Sequence, residues 1–158
     1  WIAYRGAYKL ARVNPETREI TEFETPKYGQ YPGMDAYIRR LAVAEDDTIW
    51  YVDSGRGEIG RFDPETGEFK EWPSPAGVDS HPYAIEVIDG KIWYNESNQR
   101  PDTLVRFDPE TESFQSWAIP SGVGIIRNME KTRDGNLVIH QSSTNTVGLV
   151  RIGDNSDT

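Results

Sequence analysis

The side chains best suited to acid–base chemistry in this chain are two histidines, His81 and His140. A neutral imidazole can accept a proton near pH 7, so either residue is a candidate base. His81 stands directly before Pro82, and His140 follows the apolar run at 137–139. No His-x-His or His-Glu-x-x-His spacing indicates a metal site, and the chain has no cysteine. The alternative is that both histidines are exposed or packed among polar groups.

A second set of candidates carries charged and amide groups. Arg39, Arg40 and Arg127 could converge against Asp53 and Glu96, and such a cluster would bind an anion or orient a carbonyl group. The alternative is a set of charge pairs at a solvent-filled opening. The full candidate binding set comprises Arg39, Arg40, Asp53, His81, Asn95, Arg127, Asn128 and Gln141.

Internal repeats predict the elements that position these residues. Arg-Val-Asn-Pro-Glu-Thr begins at Arg12, and Arg-Phe-Asp-Pro-Glu-Thr begins at Arg61 and again at Arg106. A degenerate fourth copy of this phrase contains Arg151, so the four arginines are 49, 45 and 45 residues apart. Self-similarity at a period of about 45 residues indicates a repeat architecture.

Each repeat predicts four short antiparallel strands, which we name A to D. In the third repeat, strand A at 83–88 ends in an Asp-Gly turn, and strands B, C and D follow near 91–95, 103–107 and 113–117. The Asp-Pro-Glu-Thr turn joins C to D. Four antiparallel strands in forty-odd residues are typical of a β-propeller blade, so the predicted fold class is all-β.

The whole chain follows the strand pattern BCD, ABCD, ABCD, ABC. We therefore expect a partial β-propeller of about three and a half blades at 1–153, followed by a polar tail at 154–158. The predicted blade parts are 1–25, 37–73, 82–120 and 127–153. Such an arc cannot close, which predicts the C-terminal half of a longer propeller. An upstream half or another chain would then complete the ring.

Both the D–A and the B–C loops open at one rim of the predicted propeller, which we name the top face. The tryptophans recur in strands B and D, so we expect them to pack blades together. At the start of strand A the repeats align Arg39-Arg40 with Pro82-Tyr83 and Arg127-Asn128. The aligned residues that end strand B are Tyr4, Asp53, Glu96 and Gln141.

Composition excludes several classes of function. The formal net charge of −9 argues against sequence-independent nucleic-acid binding, which requires clustered lysine and arginine. No apolar run of eighteen residues could span a bilayer. The absence of cysteine fits an oxidising or a reducing compartment. We favour a secreted or periplasmic location over a cytoplasmic one, although no residue decides between them.

Two of the repeats share a run of characteristic segments. In the third repeat these are Pro82–Ile85, Asp89-Gly90, Ile92–Glu96 and Leu104–Phe107, and in the preceding repeat they are Ile49–Tyr51 and Ile59–Phe62. With these segments the chain resembles the streptogramin lyase (virginiamycin B lyase) family. The resemblance covers nearly the whole chain as a C-terminal half. It implies a seven-bladed propeller, and it implies lyase members that open a cyclic depsipeptide by elimination with the help of Mg²⁺.

The resemblance also implies positions for catalytic groups. The lyases place a histidine after the proline that begins strand A in two successive late blades, and a glutamate that ends strand B in the later one. With the last blades aligned, these positions hold Tyr83, Asn128 and Gln141. One blade earlier, they hold Arg40, Tyr83 and Glu96. Neither register supplies the paired histidines.

The sequence therefore predicts one of two functions for this chain. The first is a binding domain whose top face holds a polar small molecule, a peptide or a partner protein. The second is a metal-assisted carbon–oxygen lyase acting on a cyclic depsipeptide lactone. In the second, Tyr83 or His140 is the base, and Glu96 orients the substrate or binds Mg²⁺. The missing histidine pair favours binding, because proton abstraction requires a base in place.

Overall fold

A computed structural model describes residues 1–5, 7–26, 37–121 and 124–153. The predicted tail at 154–158 lies outside these residues. Within them the regular structure is β, apart from one 3₁₀ turn at Gly77–Asp79. No helix in the described ranges is long and apolar enough to cross a membrane.

Fourteen strands form four antiparallel sheets in the described part of the chain. The first sheet contains β1 (Ile2–Tyr4), β2 (Lys9–Val13) and β3 (Ile20–Glu24). The second contains β4 (Ile38–Val43), β5 (Ile49–Asp53), β6 (Glu58–Phe62) and β7 (Phe69–Pro73). The third contains β8 (Pro82–Ile88), β9 (Lys91–Glu96), β10 (Thr103–Asp108) and β11 (Ser113–Ala118). The fourth contains β12 (Ile126–Lys131), β13 (Leu137–Gln141) and β14 (Thr146–Val150).

Consecutive strands are neighbours in every sheet, which confirms the predicted propeller blades with three, four, four and three strands. The B strands of the two four-stranded blades, β5 and β9, are the most buried, because both of their faces meet another blade. In β9, Trp93 packs toward the last sheet, whereas Tyr94 packs toward the second sheet. The strand therefore lacks the polar alternation of a strand with one solvent face.

Aromatic contacts between blades, such as Trp72 of β7 with Phe107 of β10 at 4.9 Å between ring centroids, confirm that the tryptophans pack blades together. Within a blade, aromatic pairs also join strands B and D. Trp50 stacks on Trp72 with ring centroids 5.6 Å apart, and Trp93 stacks on Trp117 at 5.7 Å. The Asp-Pro-Glu-Thr turns are also structural, since Asp63 Oδ1 accepts hydrogen bonds from the backbone N–H groups of Glu65 and Thr66. These recurrent residues therefore build the scaffold.

A β-bulge interrupts strand A near its start in three blades. The register shifts lie between Ile38 and Arg40 in β4, between Pro82 and Ile85 in β8, and between Ile126 and Asn128 in β12. Counted from Leu41, Ile85 and Met129, which face equivalent B-strand residues, the bulge positions align Arg39 with Tyr83 and Arg127. The sequence alignment of Arg40 and Asn128 with Tyr83 is therefore wrong by one residue, because the A–B hairpin of the third blade is one residue shorter. Ile85 and its partner Tyr94 are nine residues apart, whereas Leu41 and Tyr51, like Met129 and Ile139, are ten apart.

The two ends of the arc expose apolar faces. Val147 and Leu149 of β14 are 72% and 55% exposed, and Ile20 at the other end is 57% exposed. His140 pairs with Val147 and so shares this uncovered face of the last sheet. The structure thus places His140 on the open side of that sheet, not on the side that packs against β8–β11.

Candidate functional site

The three bulge residues lie at the start of neighbouring inner strands. Strand β8 is flanked by β4 and β12, so Tyr83 stands between Arg39 and Arg127 in blade order. Below them the A strands line a groove with a volume of about 250 Å³, and Arg40 and Asn128 line it as well. Bulges commonly redirect a side chain next to a binding site. Here the bulge position holds a tyrosine in the central blade and an arginine in each of the two neighbouring blades.

Arg39 is clamped between aromatic rings. Its Cζ lies 3.9 Å from the ring centroid of Tyr37 and 4.8 Å from that of Tyr83. Arg5 Cζ lies 4.1 Å from the same Tyr37 ring, and two guanidinium groups cannot share one face of a single ring. The four side chains therefore form a stack in the order Arg5, Tyr37, Arg39, Tyr83, which we name the Arg–Tyr stack. Guanidinium groups stack favourably on aromatic faces.

Two hydrogen bonds that lie in the plane of the Arg39 guanidinium fix its orientation. Arg39 Nε donates to Ser54 Oγ at 3.2 Å, and Arg39 Nη2 lies 3.3 Å from His81 Nε2. Ser54 Oγ in turn donates to the Pro82 carbonyl oxygen. Burial is the main cause of a lowered Arg39 pKa, to which the charges of Arg5 and Arg127 add repulsion. Stacking and hydrogen bonding together hold Arg39 in one position at the start of β4.

Contacts around His81 determine its tautomer. Ser97 Oγ donates its hydrogen to the His81 carbonyl at 2.7 Å, so it accepts the hydrogen bond from Nδ1 at 2.8 Å. Nε2 is then unprotonated and accepts from Arg39, because arginine can only donate. Burial, followed by the Arg39 charge, lowers the His81 pKa. His81 therefore acts as a neutral positioning residue for Arg39, and its lone pair is occupied.

Replacing His81 by glutamine should flatten the pH dependence of stability. The folded-state pKa is lowered, so the unfolded chain binds the proton more readily, and stability falls as pH drops below about 6.5. His81→Gln keeps an acceptor for Arg39 but does not titrate. Urea denaturation between pH 5 and 8 should show a smaller loss in the variant than in the wild type. Parallel pH profiles for the two proteins would contradict the assigned tautomer.

A buried cluster of charged side chains, Asp53, Arg56 and Glu71, lies beside the Arg–Tyr stack. Asp53 Oδ2 accepts from Arg56 Nε at 2.8 Å, and Arg56 Nη2 donates to Glu71 Oε1 at 2.7 Å. Asp53 Oδ1 also accepts the Tyr37 backbone N–H at 2.8 Å. Burial raises the pKa of both Asp53 and Glu71, although the Arg56 charge opposes this. Asp53 is thus fully buried and anchors the backbone of Tyr37 within the stack.

The other polar residues that end strand B hold loops. Glu96 Oε1 accepts from Ser74 Oγ at 2.6 Å and from the Ala76 N–H at 2.9 Å. Gln141 Oε1 accepts from Ser121 Oγ at 2.6 Å. Both side chains are buried and secure the D–A loop that precedes their own blade. The residue that ends strand B therefore links its blade to the preceding D–A loop.

The Asn95 side chain stabilises the bulge in β8. Its Oδ1 accepts the Ala84 N–H at 2.8 Å, which satisfies a backbone donor freed by the bulge in β8. Asn95 is fully buried, so it shapes the backbone that presents Tyr83.

A magnesium site would need several oxygen ligands in one place. No group of three or more His, Cys, Asp or Glu residues suited to a metal ion occurs in the described ranges. One oxygen of Glu96 already accepts two hydrogen bonds. Glu96, the candidate Mg²⁺ ligand, is thus engaged in loop hydrogen bonds, and no catalytic step is derived through the ion.

Sequence reasoning missed Tyr37, Arg5 and Arg56. Tyr37 and Arg39 are two residues apart in the strand direction, which places their side chains on one face. That spacing was a detectable signal for the stack. Arg56 sits between two glycines in a B–C loop, and Gly57 adopts φ +66° directly against the Gly77 backbone. Its burial could not be read from the sequence, because arginine in a loop is normally exposed.

Comparison with known proteins supports the fold assignment. No protein-family model matches the chain, and no curated protein sequence matches it. A streptogramin B lyase structure superposes with a TM-score of 0.77 at 24% identity, over 90% of this chain and 44% of the lyase. Catalytically inactive virginiamycin B lyase from Staphylococcus aureus with quinupristin gives 0.76 at 24% identity, over 91% and 45%. A Bacteroides caccae protein of unknown function gives 0.65 at 17% identity, over 95% and 55%.

The chain thus spans about half the length of the lyases that it matches. Identities of this size establish shared architecture, and the resemblance in the repeats is confirmed at that level. The chain has the fold of about half of a streptogramin lyase-like β-propeller.

Proposed function

We propose that this chain forms half of a ligand-binding propeller, whose top face binds a polar small molecule or peptide. The binding residues are Arg39, Tyr83 and Arg127 at the three bulges. The fixed position of Arg39 carries the proposal, since two aromatic rings and two hydrogen bonds hold its guanidinium at the start of β4. A guanidinium held in advance loses less conformational entropy on binding.

Charge distribution supports the same site. The chain carries a net charge of −9, yet Arg5, Arg39 and Arg127 lie close enough together to interact electrostatically at this rim. Among the described residues, no carboxylate forms an ion pair with any of the three. Local positive charge on an acidic protein attracts ligands with negative or electron-rich groups.

Loss of binding in Arg39→Ala tests the proposal. A library of small peptides, organic acids and amides would be screened by thermal shift, and each hit would be titrated against wild type and variants. We expect Arg39→Ala to weaken top-face ligands at least about tenfold, because a charge-assisted contact is removed. Arg133→Ala is the control, since Arg133 is exposed in the turn between β12 and β13. Hits that bind both variants equally would refute the proposed site.

A carbon–oxygen lyase is the second candidate, and the shared fold is the observation that favours it. Its candidate groups do not form one catalytic cluster in the described structure. Tyr83 packs on Arg39, Glu96 is buried against Ser74, and His140 lies on the open face of the last sheet. Incubation of the full-length protein with a lactone-containing depsipeptide, with and without EDTA, tests this candidate. Metal-dependent linearisation would establish it and displace the binding proposal.

We also infer that another propeller segment covers the exposed ends of the arc, either an upstream half or a separate chain. The apolar exposure of Val147 and Leu149 supports this, as does the partial coverage of the matched lyases. Hydrogen exchange in the full-length protein provides the test. The β14 amides that point away from β13 should exchange slowly if a further strand pairs with them, and rapidly if this edge is open.

A further inference from the structure

We propose that the ligand of this site presents a carboxylate, which the free edge of the Arg39 guanidinium binds through two parallel hydrogen bonds. This inference rests on the proposed function and names the chemical class that the site selects.

The hydrogen-bonding edges of Arg39 carry the argument. A guanidinium has five N–H groups in one plane, arranged along two edges that can each hold an acceptor pair. Nε and Nη2 share the side edge, where Ser54 Oγ and His81 Nε2 occupy it. The end edge offers one N–H from Nη1 and the second N–H of Nη2. No acceptor for this edge occurs among the described residues.

The stacking rings restrict how a ligand approaches. Tyr37 and Tyr83 lie against the two faces of the guanidinium, so a ligand can meet Arg39 only within its plane. A carboxylate is a planar fork that matches the two N–H groups of the end edge. A phosphate also has suitable oxygens, but its tetrahedral shape would direct others toward the negative faces of the tyrosine rings. The geometry therefore favours the carboxylate.

Neighbouring charge strengthens this preference. Arg39 is partly buried, and the like charges of Arg5 and Arg127 lower its pKa further. A bound anion would relieve that repulsion, whereas a neutral amide would leave it in place. His81 leaves the end edge to the ligand, because its neutral acceptor nitrogen accepts a hydrogen bond from Nη2 on the side edge.

Benzoate and benzamide are matched probes, since they differ in charge but little in shape. Calorimetric titration of the full-length protein should show benzoate binding at least about tenfold more tightly than benzamide. Arg39→Lys keeps the positive charge but cannot form the paired hydrogen bonds, so it should lose most of the benzoate affinity. Arg127→Gln, at an exposed position, should weaken benzoate severalfold, and Arg133→Lys should not change it. Inorganic phosphate should bind more weakly than benzoate.

Several outcomes would overturn the inference. Equal affinity for benzamide would show that the site does not select an anion. Undiminished benzoate binding by folded Arg39→Lys would show that paired hydrogen bonds are not used, and phosphate binding as tight as benzoate would show a general oxyanion site. If neutral library ligands bind the top face and are lost in Arg39→Ala, the proposed function stands while the carboxylate inference falls. If no ligand perturbs the top face, both fall.

Discussion

Replacing Arg56 by methionine is expected to lower the free energy of unfolding by about 3–5 kcal/mol, because it leaves buried carboxylates without their cation. Arg56 is completely buried and contacts Asp53, Glu58 and Glu71. Methionine fills most of the volume, so the loss would report charge and not a cavity. Urea denaturation followed by tryptophan fluorescence measures the effect.

Arg61→Met is the matched control for this variant. Arg61 lies in the adjacent strand β6, its side chain is 36% exposed, and its contact with Asp63 is long at 3.9 Å. A partly exposed pair of this kind contributes less than about 1 kcal/mol. A loss below about 1 kcal/mol in Arg56→Met as well would show that the buried cluster is not held by the arginine charge.

The Arg56→Met deficit should also depend on pH. Burial already raises the pKa of Asp53 and Glu71, and without the Arg56 charge only hydrogen bonds, such as that from Tyr51 to Glu71, would oppose that rise. In the folded variant these groups therefore bind protons more readily than in the unfolded chain. The variant should be least destabilised near pH 4 and increasingly destabilised as pH rises through the raised folded-state values.

Substitution of Gly60 by alanine is the second change with a large expected effect, a loss of about 2–3 kcal/mol. Tyr51 pairs with Gly60, and its ring crosses that residue so that its hydroxyl donates to Glu71 at 2.7 Å. A Cβ at position 60 would overlap Cζ and Oη of this fully buried ring. The ring can move only by breaking its hydrogen bond to the ion cluster. Chemical denaturation of the variant gives the measurement.

Gly148→Ala tests whether the effect is specific to the tyrosine. Gly148 faces Ile139, the residue of the last blade that corresponds to Tyr51, and a Cβ there would lie 3.0 Å from Ile139 Cγ1. The Ile139 side chain makes no hydrogen bond that would hold it in place, so it can shift by a few tenths of an ångström. Alanine should therefore cost less than about 1 kcal/mol at position 148. Equal losses at both positions would mean that the Tyr51 ring does not restrict position 60.

The blades could be predicted from the sequence because they recur. The Arg-Phe-Asp-Pro-Glu-Thr phrase marks the C–D hairpin wherever it occurs, and the B-strand tryptophans mark each face that receives the next blade. Periodic features of this kind reflect the two-residue alternation of strands and the chemistry of turns. Neither requires knowledge of which blades are neighbours.

The site was only partly predictable, because it depends on irregular backbone. Arg39, Tyr83 and Arg127 were all named as candidates, but the alignment missed their equivalence, because the A–B hairpin of the third blade is one residue shorter than the others. Asp53 and Glu96 were expected among the ligand-binding residues, since charged residues that end a strand are usually exposed. The structure buries both of them, because Arg56 and Ser74 satisfy their oxygens. Such pairings join different strands and loops and leave no local pattern.

An NMR spectrum of the arginine side chains tests the central claim most directly. Arg39 and Arg56 both donate through Nε, so both Nε–H signals should be sharp and protected from exchange. Addition of benzoate to the full-length protein should shift the Arg39 signal and leave the buried Arg56 signal in place. An Arg39 signal that stays unchanged while backbone amides elsewhere respond would contradict a ligand site at the Arg–Tyr stack.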